Sequence, residues 1–263
     1  MTNGLGGQLS ETYYGAAGDD SLRGEYGDDD LYGGNGDDSL YGGEGSDDLY
    51  GSSGDDHIYG GLGSDRAHFT GAHDEYDVLQ SGTTQIIRDR QLLRDGSDSV
   101  EDVELLQFSD LTTILNYDNS GIYRFYNTQT GSHFYTGDKN EAENTLTTMP
   151  NFQYDGRAFS ENQGLSNTVD VHRFYNTQTG THFFTSNEAE IGFITENLPA
   201  YKYEGKAYQA YSEAQAGTTA LHRFYNSDSG IHFYTASQSE METVKIELSG
   251  TYSYDGIAYY VGQ

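Results

Sequence analysis

A nine-residue phrase spoken six times without a break governs what this chain can fold into. It starts at Gly15, Gly24, Gly33, Gly42, Gly51 and Gly60, and its fourth place is glycine every time. The sixth place is always aspartate, and the eighth is apolar: Leu22, Leu31, Leu40, Leu49, Ile58 and, weakest, Ala67. Glycines at places one and four predict backbone turns that a Cβ would forbid. The x-U-x segment between turns, with U a large apolar residue, predicts a strand with U inward and Tyr32, Tyr41, Tyr50 and Tyr59 outward. Nine residues then give one turn and one strand, and two such units make one coil. Each residue therefore meets its equivalent eighteen positions on. A Gly/Asp-rich disordered linker would have no reason to keep this phase.

The chemistry of the phrase points to a hard cation. Turned glycine backbone aims carbonyl oxygens inward and the fixed aspartate adds an anionic oxygen, which together form the ligand set that calcium takes. The phrase G-G-x-G-x-D-x-U-x resembles the calcium-binding repeats of the RTX family, and the resemblance implies a parallel β-roll folded by several structural Ca2+ ions. The expected ligands are Asp20, Asp29, Asp38, Asp47, Asp56 and Asp65. Carbonyls from the turns at Gly15, Gly18, Gly24, Gly27, Gly33, Gly36, Gly42, Gly45, Gly51 and Gly54 are expected to join them.

Charge supports this reading. The 263 residues carry a formal net charge of −29, of which 15–68 hold −12, 69–118 hold −8 and 119–263 hold −8. Such a balance repels the phosphates of nucleic acids and anionic membranes. Without cations the Gly/Asp stretch is expected to be a self-repelling disordered chain. There is no cysteine, so neither disulfides nor thiolate chemistry are available. No apolar run is long enough to span a membrane, and residues 1–10 lack the charged and apolar regions of a cleaved signal peptide. The RTX resemblance implies export from a bacterial cell on an uncleaved signal, with folding in extracellular calcium.

Around the six phrases lie two flanks. Residues 6–14 (Gly6, Gly7, then Gln8 to Tyr14) read as a decayed seventh phrase, with Glu11 in the aspartate's place, capping the roll. Residues 69–118 read as amphipathic β sequence around Tyr76, Val78, Ile86, Ile87, Val103, Leu105, Leu106 and Phe108. Within them, Asp95 to Leu111 resembles the segment that closes RTX rolls, and an open roll end, with bare strand edges, must be covered. Residues 1–118 are thus expected to be one domain.

From Tyr123 a longer period takes over. YRFYNTQTGSHFYT from Tyr123, HRFYNTQTGTHFFT from His172 and HRFYNSDSGIHFYT from His222 set units of about 119–167, 168–217 and 218–263. Each phrase predicts a hairpin whose loop runs from Asn to Gly. A helix follows, capped by Asn187 with Glu190 or Ser237 with Glu240 and stopped near Pro150, Pro199 or Gly250. A third strand completes each unit: Tyr154–Phe159, Tyr203–Tyr208 and Tyr254–Tyr259. The fold class is therefore mainly β: a parallel roll, then a pseudo-threefold domain of three hairpin-helix-strand (ββαβ) units. One unit alone would leave its apolar face bare. These units resemble bacterial "HFYT" repeats, often appended to secreted hydrolases and cell-surface proteins, and the resemblance implies attachment to glycans or cell walls.

Period-two alternation sorts the side chains of each hairpin. One face takes the phenylalanines, the expected core. The other takes Arg124, Tyr126, His133 and Tyr135 in the first unit, Arg173, Tyr175, His182 and Phe184 in the second, and Arg223, Tyr225, His232 and Tyr234 in the third. A planar fork, a phenol and an imidazole beside an aromatic platform suit an extracellular carbohydrate or cell-surface polymer. Fifteen of the 24 tyrosines lie in 119–263, more than a core was expected to need. The same sets also fit an internal network in which each arginine pairs with its own helix through Glu141, Glu190 or Glu240. Convergence of His133, His182 and His232 on one axis would suit zinc. No Ser-His-Asp order, H-E-x-x-H or phosphate loop is present, and no carboxylate pair is marked out, so no catalytic residue is assigned. An enzyme with a His/Tyr/Arg-lined cavity and a purely structural surface component stay open as alternatives.

Overall fold

A computed structural model describes residues 9–161 and 166–262, so Gly6, Gly7 and Gln8 of the decayed phrase lie outside the described residues. The chain forms two compact units, 1–116 and 117–263.

The first unit is a parallel β-roll of two facing sheets. One takes Thr12–Tyr14, Asp30–Asn35, Asp48–Ser53, Arg66–His68, Leu105–Gln107 and Thr112–Ile114 in that order. The other takes Ser21–Tyr26, Ser39–Glu44, His57–Leu62, Ser97–Glu101, Thr84–Asp89 and Tyr76–Ser81. Within the phrases, neighbours pair at an offset of eighteen, as in Leu31↔Leu49 and Leu40↔Ile58. Leu31, Leu40, Leu49, Ile58 and Ala67 are fully buried between the sheets. Each full strand is longer than x-U-x and runs on through places one and two of the next phrase, as in Asp30–Asn35. On one sheet the outward rings stack, with centroids 4.3 Å apart for Tyr32–Tyr50 and 3.9 Å for Tyr50–His68, while Tyr41 and Tyr59 on the other are tilted at 6.3 Å.

The glycines divide their work differently from expectation. Place four is left-handed, as at Gly45 (φ 139°) and Gly54 (φ 143°), but place one is not. The second positive φ falls at place two in five of the six phrases: Gly34, Gly43 and Gly61, with Glu25 and Ser52 tolerating it, while Ala16 of the first phrase does not adopt it. Place one is glycine for want of room. A Cβ on Gly42 would stand 2.3 Å from Asp47 Oδ2 and 2.6 Å from the Gly60 carbonyl.

The second unit repeats one motif three times. A long strand (Gly121–Asn127, Thr168–Asn176 or Thr218–Asn226) pairs antiparallel with a hairpin partner (Ser132–Thr136, Thr181–Thr185 or Ile231–Thr235). A ten-residue helix follows: α1 Lys139–Thr148, α2 Glu188–Asn197 or α3 Gln238–Glu247. The third strand (Phe152–Ser160, Tyr201–Tyr211 or Tyr252–Gly262) then returns to the other edge of the long strand. The hairpin glycines Gly131, Gly180 and Gly230 sit at φ 70–71°, the left-handed position that their loops require. Asp138, Asn187 and Ser237 cap the helices, each accepting the N–H of the glutamate three residues on.

Each hairpin buries side chains on both of its faces, each against a different partner. Phe174 and Phe183 pack with Ile194 under their own helix, as do Phe224 and Phe233 with Met241 and Val244. On the opposite face Tyr135, Phe184 and Tyr234 meet edge-to-face at 5.6–6.1 Å, in the core that all three units share. These three were expected to form a ligand platform. At 0–2% exposure they are core instead, because closing three units into a ring turns that end of the face inward. The surplus of tyrosines has the same cause. Tyr208 and Tyr259 share a 2.6 Å hydroxyl contact, while Tyr135 and Tyr234 donate to the carbonyls of Tyr234 and Phe184. Phenols fill a large core and satisfy each other across it.

Candidate functional site

In the roll, the place-six aspartates form a carboxylate ladder. Asp38 Oδ1 accepts the Asp20 N–H, Asp47 that of Asp29, Asp56 that of Asp38 and Asp65 that of Asp47, at 2.7–2.9 Å. Asp29 takes the Glu11 N–H, so the decayed phrase continues the ladder. A second ladder, which sequence reasoning missed, runs the other way at place five. Asp19, Asp28 and Asp37 accept the N–H groups of Asp37, Ser46 and Asp55. Its only trace in the sequence is that place five is always Asp or Ser.

One oxygen of each place-six carboxylate is left over. Oδ2 of Asp29, Asp38, Asp47, Asp56 and Asp65 is buried without a hydrogen-bond partner. Burial pushes all five carboxyls up: Asp47 and Asp56 to about 6, Asp65 to about 8. Each Oδ2 faces the bare Cα of the glycine opening its own phrase, at 2.2–2.6 Å from where a Cβ would lie. Across the same gap stands a carbonyl eighteen residues on: Gly42 O for Gly24, Gly51 O for Gly33 and Gly60 O for Gly42. The cradle so formed, an orphaned carboxylate oxygen and a carbonyl converging beside a bare Cα, presents the oxygen donors that a calcium ion takes. A divalent cation there would supply the counter-charge that these buried carboxylates lack. Gly15 has the same walls, Asp20 Oδ2 and the Gly33 carbonyl, but Asp20 is half-buried and its Oδ2 accepts the Ala16 N–H.

Magnitudes show why a cation matters. Burying four leucine-sized side chains stabilises the roll by about 6–12 kcal/mol. Five buried carboxylates with an unpaired oxygen cost about 1–3 kcal/mol each and more when charged, enough to cancel that gain.

In the second unit the expected sets occupy the junctions between units. Arg173 donates two bonds to Glu141 of α1 (2.8 and 2.9 Å) and one from Nε to Glu204 of its own third strand (2.8 Å). Arg223 holds Glu190 of α2 in the same bidentate way and Arg124 reaches Glu240 of α3. Each arginine thus pairs with the helix of a neighbouring unit rather than its own, and the three pairs close a ring. Asp155, Glu204 and Asp255 complete the sets from within the unit. The helix glutamates do not reach back to their caps. Glu141 and Glu190 instead take the hydroxyls of Thr136 and Thr185 as well as the arginine.

The histidines cross the same junctions. His133 lies against Phe233, His182 against Phe134 and His232 against Phe183, with centroids 4.7–5.1 Å apart. Burial, reinforced by the neighbouring guanidinium, lowers all three to about 4, so they are neutral imidazoles at pH 7. Each lies at its own junction. Among the described residues no group of three or more His, Asp or Glu side chains forms a metal cage, so the histidines do not meet on a zinc axis.

Tyr126, Tyr175 and Tyr225 sit at 4.9–5.2 Å from their histidines, and Tyr126 is exposed. Beside them three related grooves open. The first holds Tyr175, His182, Phe134 and Glu141 (430 Å³), the second His232, Phe183, Phe193 and Tyr201 (370 Å³), the third Tyr126, His133, Phe233 and Tyr252 (480 Å³). Of the twelve expected residues the structure therefore sends three to the core, holds the arginines and histidines in junction walls and leaves the tyrosines nearest solvent.

Comparison with known proteins agrees with this two-part architecture. Residues 121–262 match the family described as "Domain of unknown function (DUF5648)". Residues 5–40, 32–67 and 41–74 match the RTX calcium-binding nonapeptide repeat (4 copies). No curated protein matches the chain. Among solved structures, the extracellular lipase LipA from Serratia marcescens is similar at 23% identity, with a TM-score of 0.25. That match covers 39% of this chain and 13% of the lipase.

Proposed function

The chain belongs to the DUF5648 family and carries RTX calcium-binding repeats ahead of that domain, and from this premise we propose a secreted, calcium-folded protein whose repeat domain binds extracellular carbohydrate. In the roll, Oδ2 of Asp20, Asp29, Asp38, Asp47, Asp56 and Asp65 and the carbonyls of the glycine turns ligate structural Ca2+. In the repeat domain, the ligand lies in the junction grooves against the neighbouring unit's phenylalanine and Tyr126 or Tyr175, with Tyr225 flanking the His232 wall of the second groove. Arg124, Arg173 and Arg223 hold the groove walls through their ion pairs.

The observation that carries this reading is the set of three related open grooves, one at each junction. Each is walled by aromatic faces and edged by carboxylate and hydroxyl groups, and their volumes fall within the about 300–1,000 Å³ of small-ligand sites. Aromatic faces stack on the C–H side of a sugar ring while polar edges take its hydroxyls. Repetition of the groove favours multivalent attachment to a polymer, whereas an enzyme would call for one groove set apart by its chemistry. The −29 charge fits attachment to a neutral polymer better than to the phosphates of nucleic acid or an anionic lipid surface.

Retention of the full chain on glycan arrays and insoluble cell-wall polysaccharides in calcium tests the proposal. The Tyr126→Ala, Tyr175→Ala, Tyr225→Ala triple variant is expected to lose retention while keeping its thermal midpoint. No retention of the parent protein on any glycan would overturn carbohydrate binding.

A further inference from the structure

Residues 95–104 lie outside the stretch that matches the repeat, yet they dock on the roll as one more phrase. Ser99, Val100 and Glu101 pair in parallel with His57, Ile58 and Tyr59, an offset of 42 in place of eighteen. Places four to nine of the phrase are occupied. Gly96, at φ 84°, approaches the Gly54 carbonyl as Gly54 approaches that of Gly36. The Ser97 N–H donates to Asp55 Oδ1 and so extends the place-five ladder (2.9 Å). Asp98 Oδ1 accepts the Asp56 N–H (2.9 Å) and extends the other. Val100 fills the inward place and is fully buried. Residues 69–94, which carry the hairpin of Tyr76–Ser81 and Thr84–Asp89, stand as an insertion between the sixth phrase and this displaced seventh.

The displaced phrase completes a cradle at the downstream end. Gly60 has its own Asp65 Oδ2 at 2.6 Å from a would-be Cβ, as in every other phrase, but no repeat follows to supply the opposing carbonyl. Asp102 supplies it. At φ 45° it turns the chain and sets its carbonyl oxygen 2.1 Å from the same point. Left-handed backbone at a non-glycine residue is tolerated best by Asn and Asp. That carbonyl accepts the Gly61 N–H, and a carbonyl oxygen has a second lone pair free. Asp65 is fully buried and its Oδ2 has no partner. Glu104 meanwhile takes the Asp65 N–H (2.8 Å), the role that an aspartate plays in the repeats.

We infer that the cradle formed by Gly60, Asp65 Oδ2 and the Asp102 carbonyl is a calcium site assembled from two separated stretches, and that its ion staples residues 95–104 to the repeats. The inference rests on the assignment of Asp Oδ2 as ligand within the repeats. It extends that assignment to a segment that is not a repeat by sequence.

Calcium stoichiometry of the full chain by titration calorimetry, together with amide exchange across residues 97–105 in saturating calcium, tests it. Asp65→Asn removes the anionic oxygen and keeps an acceptor for the Asp47 N–H. It is expected to lose one ion and to speed exchange at 97–105 by about ten-fold, the factor that linkage gives at calcium ten times its dissociation constant. Asp38→Asn, inside the repeats, is expected to lose one ion with 97–105 unchanged. If Asp65→Asn unfolds the roll, Gly60→Ala, which fills the cradle and keeps every carboxylate, is expected to show the same pair of changes. Full stoichiometry in both Asp65→Asn and Gly60→Ala, or a lost ion with unaltered exchange at 97–105, overturns the inference. An Asp38→Asn chain that keeps every ion refutes the ligand assignment in the repeats themselves.

Discussion

The ring of ion pairs between units is the feature whose energetics the geometry sets most tightly. Arg173 is the best case: two parallel bonds to Glu141, a third to Glu204, and the guanidinium 5.4 Å over the Phe134 ring. Its side chain is 16% exposed and that of Glu141 34%, so the pair is neither a surface bridge nor a fully desolvated one. Breaking a fully buried pair costs about 3–5 kcal/mol, and an exposed one contributes about 0–1 kcal/mol. Partial screening, with Glu204 still holding Nε, places Glu141→Gln at about 2 kcal/mol. Arg173→Met loses the Phe134 contact as well, so the coupling is read from the double-mutant cycle, where about 1–2 kcal/mol is expected. Urea unfolding of the full chain in calcium, followed by circular dichroism at pH 7, measures it. A coupling under about 0.5 kcal/mol would refute the argument that this pair locks one unit to the next.

Other perturbations separate the two units. Chelation is expected to abolish the roll's circular dichroism while hydrogen exchange protection of the strands in 121–262 persists; loss of both together would mean that the domain also depends on calcium. Gly45→Ala would set a Cβ 2.0 Å from the Gly27 carbonyl at φ 139°, and thermal melts in calcium are expected to show a loss of more than about 3 kcal/mol. Gly205→Ala, at φ 111° with nothing within 4 Å, carries backbone strain alone and should cost about 1–2 kcal/mol. Acid should destabilise the repeat domain. His133, His182 and His232 fall from 6.5 to about 4 on folding; between those values the unfolded chain binds more protons, so stability drops as pH falls from about 6.5 to 4. Each imidazole accounts for up to about 3 kcal/mol, and a flat stability profile across that window would contradict their burial.

Much of the roll was legible because its constraints are local and periodic. The phase alone set the eighteen-residue pairing, the inward leucines and the row of aspartates, though not the N–H groups that their Oδ1 atoms accept. The glycine at place one was assigned the wrong physics: its bare Cα makes space for Asp Oδ2 and a carbonyl, and only coordinates distinguish absence of room from a positive φ. The displaced phrase was half visible. Gly96-Ser97-Asp98-Ser99-Val100-Glu101 has the spacing of places four to nine, but it stands out of phase, and 42 residues between partners carry no periodic trace.

The repeat domain sets a sharper limit. Alternation correctly put Arg173, Tyr175, His182 and Phe184 on one face, and the order of hairpin, helix and strand followed from caps and glycines. Pairing of Arg173 with the helix of the unit before it was not legible, because all three units carry the same Arg and Glu. Any assignment of arginine to helix, own or neighbour, satisfies such a sequence equally. Closure breaks the tie: beyond the shared aromatic core and the histidine–phenylalanine contacts, exchange of the arginines makes each unit's charge balance depend on its neighbour. That same exchange builds the grooves, since a wall made of one unit's His against the preceding unit's Phe exists only where two units meet. Binding by this domain should therefore be lost with ring closure. An Arg173→Met, Arg223→Met chain is expected to lose glycan retention well below its unfolding midpoint, and retained binding in a chain with loosened junctions would place the ligand elsewhere.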